Sequence, residues 1–360
     1  MLADKLRAHI RADGPMPFED YMAACLYDER FGFFTMGPLR SVKEGDFLTS
    51  PEVSPWFGRM LARFVVDEQQ RIGADPFLVV EAGAGSGSLL KPLMDELAEL
   101  TAHRSQITAR FHAIEASPAA REALTRLLGS ATVHTSLDDL PGRFDGVIVA
   151  NELLDNLPVA LAIRSGDGWV ERWVGATEDH FGFVTAPVRP EVAVWCDAYA
   201  GTVAEGGMVE VQLAAVEWVE AALERIDHGA LVVIDYGGTA EELEPRRTQG
   251  TLRTYRSHHL GPDPLLEPGA TDVTVDVNFT AMMAAVGTRG ATVELHRQDD
   301  FLASLGLRDV VGELRHRERD LARDGEAMER LIVRSEATDT ETLLHPRGLG
   351  DFRVMVARTP

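Results

Sequence analysis

Two carboxylates three positions apart, Glu152 and Asp155, stand in the run Asn151-Glu152-Leu153-Leu154-Asp155-Asn156-Leu157-Pro158, directly after the apolar stretch 144–150. On a helical turn they share a face. Together they can hold a cation by charge-assisted hydrogen bonds and accept a proton. Acids also suit a plain helix N-terminus, so the pair gains meaning only from what lies beside it. Upstream is FLVVEAGAGSGSLLK (77–91), an apolar run ending in Glu81, then Gly83, Gly85 and Gly87, then a helical pattern. Glycine tolerates positive φ and lets a ligand approach the backbone with no Cβ in the way. The N–H groups of a first helical turn favour an anionic ligand group. The alternative is a glycine-rich turn that binds nothing.

These residues need elements to position them. Strand, tight turn and helix at 77–91 make the first half of a βαβ unit. A second strand within 110–117 ends at Glu115, where a ribose diol lies in a doubly wound sheet, unless this acid only caps a helix. A third strand, 131–135, leads to Asp138 and Asp139, which face an adenine edge or form a solvated turn. The fourth strand delivers Asn151, Glu152 and Asp155 to the same crevice, and a later buried strand, 230–235, ends there with Asp235 and Tyr236. The dinucleotide pattern G-x-G-x-x-G/A fails, because its third position is Ser88. The E-x-G-x-G-x-G run instead resembles the nucleotide loop of class I methyltransferases that use S-adenosylmethionine, where the strand-end acid and the glycines hold the methionine part.

With 360 residues and 45% hydrophobic content the chain can bury a sizeable core. A net charge of −22 argues against a nucleic-acid footprint. It is compatible with a cationic substrate or simply with a soluble acidic surface. No apolar stretch reaches the length of a membrane span. The opening MLADKLRAHIRADG lacks an apolar signal core and reads poorly as an organellar presequence, so a cytoplasmic protein is expected. Cys25 and Cys196 form no metal pattern and are expected as free thiols in a reducing compartment.

Helices are expected at 2–12 and 18–27, separated by Gly14-Pro15-Met16-Pro17. The aromatic segment 31–51, which ends in Thr49-Ser50-Pro51, reads as a loop expected to close over the nucleotide site. A hairpin is expected in 159–173. Residues 239–276 are too long for a plain connection and read as a lid or binding loop, and 300–335 as a solvated amphipathic insertion. The expected architecture is α/β, a mostly parallel Rossmann-like sheet with helices on both faces. Residues 1–75 form an N-terminal helical cap with its cofactor-covering loop, and 76–360 a class I methyltransferase domain with insertions near 159–228 and 239–345.

GDFLTSPEVSPWFG (45–58), EAGAGSGSL (81–89), AIEASP (113–118), NELLDNLPV (151–159), WVERWV (169–174), VVIDYG (232–237), GTLRTYRSHH (250–259) and DFLASLG (300–306) run through most of the chain. With these, the sequence resembles the MidA-like family of S-adenosylmethionine-dependent methyltransferases, whose mitochondrial members assist respiratory complex I assembly by methylating an arginine. It departs at Ala84-Gly85-Ser86-Gly87, where the family more often has a Pro-Gly-Arg-Gly type of run. The resemblance implies S-adenosyl-L-methionine held by Glu81, Gly83, Gly85, Gly87, Glu115, Asp138, Asn151, Thr49, Ser50 and Pro51. It implies Glu152 and Asp155 as guanidinium clamp and base, with Asp235, Tyr236, Tyr255 and His258 on the acceptor side and no metal. The acceptor is then a protein arginine. A small-molecule N- or O-methyltransferase and a non-catalytic assembly factor that only binds the cofactor stay open, as does the oligomeric state.

Overall fold

The computed structural model describes residues 1–35, 49–102, 109–256 and 259–360. Its organising element is a seven-stranded sheet: β1 Phe77–Ala82, β2 Ala109–Ile114, β3 Thr132–His134, β4 Phe144–Asn151, β5 Ile226–Asp235, β6 Thr292–Arg297 and β7 Arg353–Arg358. The strand order is β6-β7-β5-β4-β1-β2-β3. β7 runs antiparallel to both of its neighbours, and the pairs among β5, β4, β1, β2 and β3 are parallel. The order reverses between β1 and β4, and open α/β sheets form their ligand crevice beyond the carboxyl ends of strands at such a reversal.

Alternation along the strands sorts their side chains into two cores. Leu78, Val80, Ala82, Ile148, Ala150, Leu231 and Val233 face helices Pro190–Tyr199, Leu213–Glu224 and Phe279–Thr288. Phe77, Val79, Val147, Val149, Val232 and Ile234 face helices Trp56–Ile72, Leu90–Thr101 and Pro118–Leu128. A strand covered on both sides needs apolar residues at every position, which explains why these strands read as unbroken apolar runs. The 300–335 stretch differs from a purely solvated insertion. Helices Leu307–Asp324 and Ala327–Thr342 bury Leu307, Val310, Leu314, Val333 and Ala337 in the second core.

The N-terminal segment and the insertions share a third core. Helix Leu2–Asp13 turns Leu2, Leu6 and Ile10 inward at four-residue spacing, and helix Phe18–Tyr27 adds Phe18, Tyr21 and Met22. Their partners are Val159, Leu161, Val174, Phe181, Met208, Leu265, Val273 and Val275. Met16–Pro17 pairs with strand Gly168–Ala176 of a five-stranded sheet that also holds Ala160–Ser165, Phe181–Pro187 and Met208–Val211. The segment 239–276 is not a plain loop. It contains strands Arg253–Arg256, His259–Leu260 and Asp272–Thr274, paired with one another. Around and beyond the last of these, residues 271–278 run fully buried.

Arg189 ties the N-terminal segment to this sheet. Its guanidinium bonds both carboxylate oxygens of the buried Glu171 at 3.0–3.2 Å and reaches Glu19 at 2.6 Å. Removing one partner of a buried pair strands the other charge. Arg189→Ala is expected to lower the unfolding free energy by about 3 kcal/mol, read from urea denaturation. The same loss is not expected for the exposed pair partner Arg126, since surface pairs contribute about 1 kcal/mol or less.

Candidate active site

A cavity of about 470 Å³ opens at the carboxyl ends of β1, β2, β3 and β4. Its floor is the glycine turn. Gly83, Gly85 and Gly87 have φ of 72°, 51° and 81°, the left-handed region that favours glycine. Gly83, Ala84, Gly85 and Ser88 line the cavity and Gly87 does not. A Cβ on Gly87 would lie 2.9 Å from Leu127 and 3.0 Å from Leu124. The third glycine thus lets helix Pro118–Leu128 pack against the turn, which corrects its expected role in holding the cofactor.

Glu115 follows β2. Its two carboxylate oxygens accept from the Gly85 N–H at 2.8 Å and the Ser117 N–H at 2.7 Å, which joins the first two strand ends. Glu81, at the end of β1, is buried, and burial holds its carboxyl well above the usual range. Its Oε2 has no partner. Asp138 sits at the rim, paired with Arg225. Thr49 and Pro51 also line the cavity, whereas Ser50 is buried beside it and bonds Gln298 through its side chain.

Beyond β4 the chain makes an unusual turn. Among the described residues, Glu152 is the one non-glycine with a left-handed backbone, φ 50°, a conformation that costs an ordinary residue of order 1–3 kcal/mol. Its N–H donates to the Ile234 carbonyl at 2.8 Å, and a 3₁₀ turn, Leu154–Asn156, follows. Glu152 faces the cavity, its Oε1 accepting from the Ser50 N–H at 3.4 Å and from Asn151 Nδ2 at 3.3 Å. Removal from water, then the charge of Asp155, push its carboxyl up to about 8. The Oδ1 of Asn151, also in the wall, is unpartnered.

Asp155 does not share that face. The left-handed residue breaks the helical spacing, and the Asp155 carboxylate lies buried outside the cavity lining, accepting from the Tyr236 hydroxyl and from Thr274 Oγ1 at 2.6 Å. The expected two-acid clamp is therefore one cavity acid with a second acid beside it. Asp235 is fully buried, and its carboxylate accepts from the N–H groups of Leu154 at 3.0 Å, Asp155 at 3.3 Å and Tyr236 at 3.0 Å. It is a backbone pin, not an acceptor contact. The Tyr236 hydroxyl is likewise committed to Asp155 and Thr274. Tyr255 lies in the Arg253–Arg256 strand, paired with Asp272 and Leu260, away from the cavity. His258 lies outside the described residues.

Of three aromatic liners, Phe34 lies in the segment expected to close over the site, and Tyr27 and Trp218 escape the sequence reading. Tyr27 and Phe34 arrive from the N-terminal segment, stacked with centroids 5.7 Å apart, and the Tyr27 hydroxyl donates to the Asn156 carbonyl at 3.1 Å. Trp218 arrives from helix Leu213–Glu224. Nothing local distinguishes Tyr27 and Trp218 from core aromatics. The approach to the cavity is tertiary.

The model of the S-adenosyl-L-methionine-dependent methyltransferase family matches residues 60–296. The chain belongs to that family. The mitochondrial protein arginine methyltransferase NDUFAF7 homolog of Drosophila melanogaster is 30% identical over 347 residues, covering 87% of this chain and 76% of that protein. The Homo sapiens mitochondrial NDUFAF7 is 27% identical over 328 residues, covering 83% and 71%. A crystal structure from Burkholderia thailandensis bound to S-adenosyl-homocysteine matches with a TM-score of 0.86 at 30% identity, over 99% of this chain and 92% of that one. The native structure of a Burkholderia thailandensis protein gives 0.82 at 31% identity. The relatives carry mitochondrial names, which overturns the cytoplasmic placement drawn from the opening residues.

For this methyltransferase the cavity suits its cofactor. Unpartnered acceptors at Glu81 Oε2 and Asn151 Oδ1 call for donors, and the cofactor is cationic at its ammonium and sulfonium ends. Gly85→Val is expected to abolish binding of S-adenosylmethionine in calorimetry, with NAD as the control, since a branched Cβ at left-handed φ fills ligand space. Gly87→Ala is expected instead to lower thermal stability, because its Cβ meets two leucines.

The acid cluster has a signature in stability. Burial raises the folded-state pKa of Glu52, Glu81, Glu152, Asp155 and Asp235. The folded protein thus holds more protons than the unfolded chain above the ordinary carboxylate range, and stability falls as pH rises. The melting temperature of the ligand-free protein is expected to fall between pH 5 and pH 8. Glu152→Gln is expected to flatten that fall, and a slope unaffected by the substitution would remove Glu152 as a contributor.

Proposed function

We propose that this methyltransferase modifies a guanidinium nitrogen of arginine in a protein, with Glu152 as the proton acceptor. The observation that carries the reading is Glu152 itself: a strained, pocket-facing carboxyl whose proton is held up to about 8. Strain retained at such a position is expected where the side chain's direction matters more than local stability. The names of the relatives add support, since they are protein arginine methyltransferases. A wall containing Glu81, Glu115, Asp138 and Glu152 favours a cationic acceptor over a phenol or carboxylate.

In this reading Glu81, Gly83, Gly85, Glu115 and Asn151 hold the cofactor, with Tyr27, Phe34, Thr49 and Pro51 covering it from the N-terminal 1–75 segment. The bound cofactor supplies a methyl group already activated on a sulfonium. The chain's own task is alignment and proton removal. Arginine is protonated at neutral pH, so forming the new C–N bond must release one proton, and Glu152 takes it from the reacting nitrogen. When the guanidinium arrives, its charge expels the proton that Glu152 carries below about 8. Acceptor affinity therefore rises with pH towards 8.

The test is transfer of labelled methyl into cell extract, followed by mass spectrometry of the modified protein. Methylarginine is the expected product, and label confined to small molecules or to other side chains would overturn the reading. Glu152→Gln is expected to lower turnover by roughly a hundredfold while leaving cofactor affinity little changed. Binding without any release of S-adenosylhomocysteine would point to an assembly factor without turnover.

A further inference from the structure

Asp155 is buried next to Glu152, outside the cavity, and two segments bond to it. Tyr236, just past β5, donates its hydroxyl to Oδ2. Thr274, from the strand Asp272–Thr274, donates to the same oxygen at 2.6 Å, and the two hydroxyls touch each other. The N–H of Val275 bonds the Asp155 carbonyl at 3.1 Å, and Asn156 Nδ2 bonds Asp272 Oδ1 at 2.8 Å and the Val273 carbonyl at 3.1 Å. Arg253 lies over the Tyr236 ring, 5.2 Å from its centroid, and is ion-paired with Asp276 at 2.7 Å. Phe352 meets the same ring edge-on at 5.6 Å. The insertion between β5 and β6 is thereby wired to the turn that carries Glu152.

We propose that Tyr236 and Thr274 are positioning residues that favour the charged form of the Asp155 carboxylate beside Glu152, so that this insertion sets how readily Glu152 accepts a proton. The proposal rests on the reading of Glu152 as the proton acceptor. Two hydroxyl donors on one oxygen favour the charged form of a carboxyl, and Arg253 adds a favourable field. Burial is the largest influence and raises the Asp155 carboxyl overall, so the hydroxyls of Thr274 and Tyr236, and then Arg253, act by limiting that rise. An anion beside a second carboxyl raises that carboxyl's proton affinity. The other acids facing the pair are Glu52 and Asp235, and Tyr27 approaches from the N-terminal helix. None of these donates to Asp155 as Tyr236 and Thr274 do. The Tyr236 phenol is held far above its ordinary range by burial, so it remains a donor throughout.

The test is a ¹³C carboxyl titration of Glu152 in protein loaded with S-adenosylhomocysteine, the resonance being assigned by its loss in Glu152→Gln. Asp155→Asn is expected to lower the titration midpoint by about one pH unit or more. Tyr236→Phe, which keeps the ring for Arg253 and Phe352, is expected to lower it by a smaller amount, because Asp155 then protonates more readily. Thr274→Val, close in shape, is expected to act in the same direction and serves if Tyr236→Phe does not fold. An unchanged midpoint in the folded, loaded variants would overturn the proposal. The reading of the acceptor fails separately: the titration can behave as expected while wild-type protein places no methyl on arginine.

Discussion

The carboxylate of Asp235 has no exposure, and three backbone N–H groups, from Leu154, Asp155 and Tyr236, donate to it. A carboxylate in that position can satisfy several donors that no neighbouring strand reaches. It joins the turn after β4 to the end of β5, and the Glu152 N–H adds a bond to the Ile234 carbonyl. With both ends of the turn anchored, Glu152 is kept in a left-handed conformation that an unrestrained chain would leave. The buried run 271–278 then fastens the far side through Asn156 and Asp155. The direction of one cavity-facing side chain is thus over-determined by two separate segments, the end of β5 and the run 271–278.

That arrangement concentrates negative charge where water is scarce. Glu52, Glu81, Glu152, Asp155 and Asp235 all have raised proton affinities, with burial the largest cause in each case. Arg253 is the cation that reaches this group among the described residues, and Asp276 already occupies it. A stable core would replace such acids with apolar residues or pair them. Their presence fits a site whose missing positive charges arrive with the ligands, so that ligand binding and ionisation are linked. Functional sites often keep such locally unfavourable arrangements at a cost in stability.

Much of the fold was legible because a parallel strand covered on both faces leaves an unmistakable apolar run. LVVE, VIVANE and LVVIDY each end in a polar residue, and those residues do converge at the strand ends. The errors have common physical origins. Glu152 and Asp155 were placed on one face because helical geometry was assumed, and a single left-handed residue sends their side chains to different sides. Gly87 looked like a ligand-facing glycine, but Leu124 and Leu127, forty residues on, need its missing Cβ. The strands within 253–274 are two to four residues long, too short for alternation to register. Tyr27 and Trp218 reach the cavity through tertiary packing that no local pattern encodes.

The third hydrophobic core has a consequence for synthesis. Leu2, Leu6, Ile10 and Tyr21 leave the ribosome well before their partners, which span Val159 to Val275. Contacts of such separation close late, after the loop entropy of the intervening chain has been overcome. The helices Leu2–Asp13 and Phe18–Tyr27 therefore emerge with an apolar face that has nothing to cover it until the partners between Val159 and Val275 have been made. Until then, that face is the natural place for a holding chaperone to bind and the first point at which the nascent chain can associate wrongly.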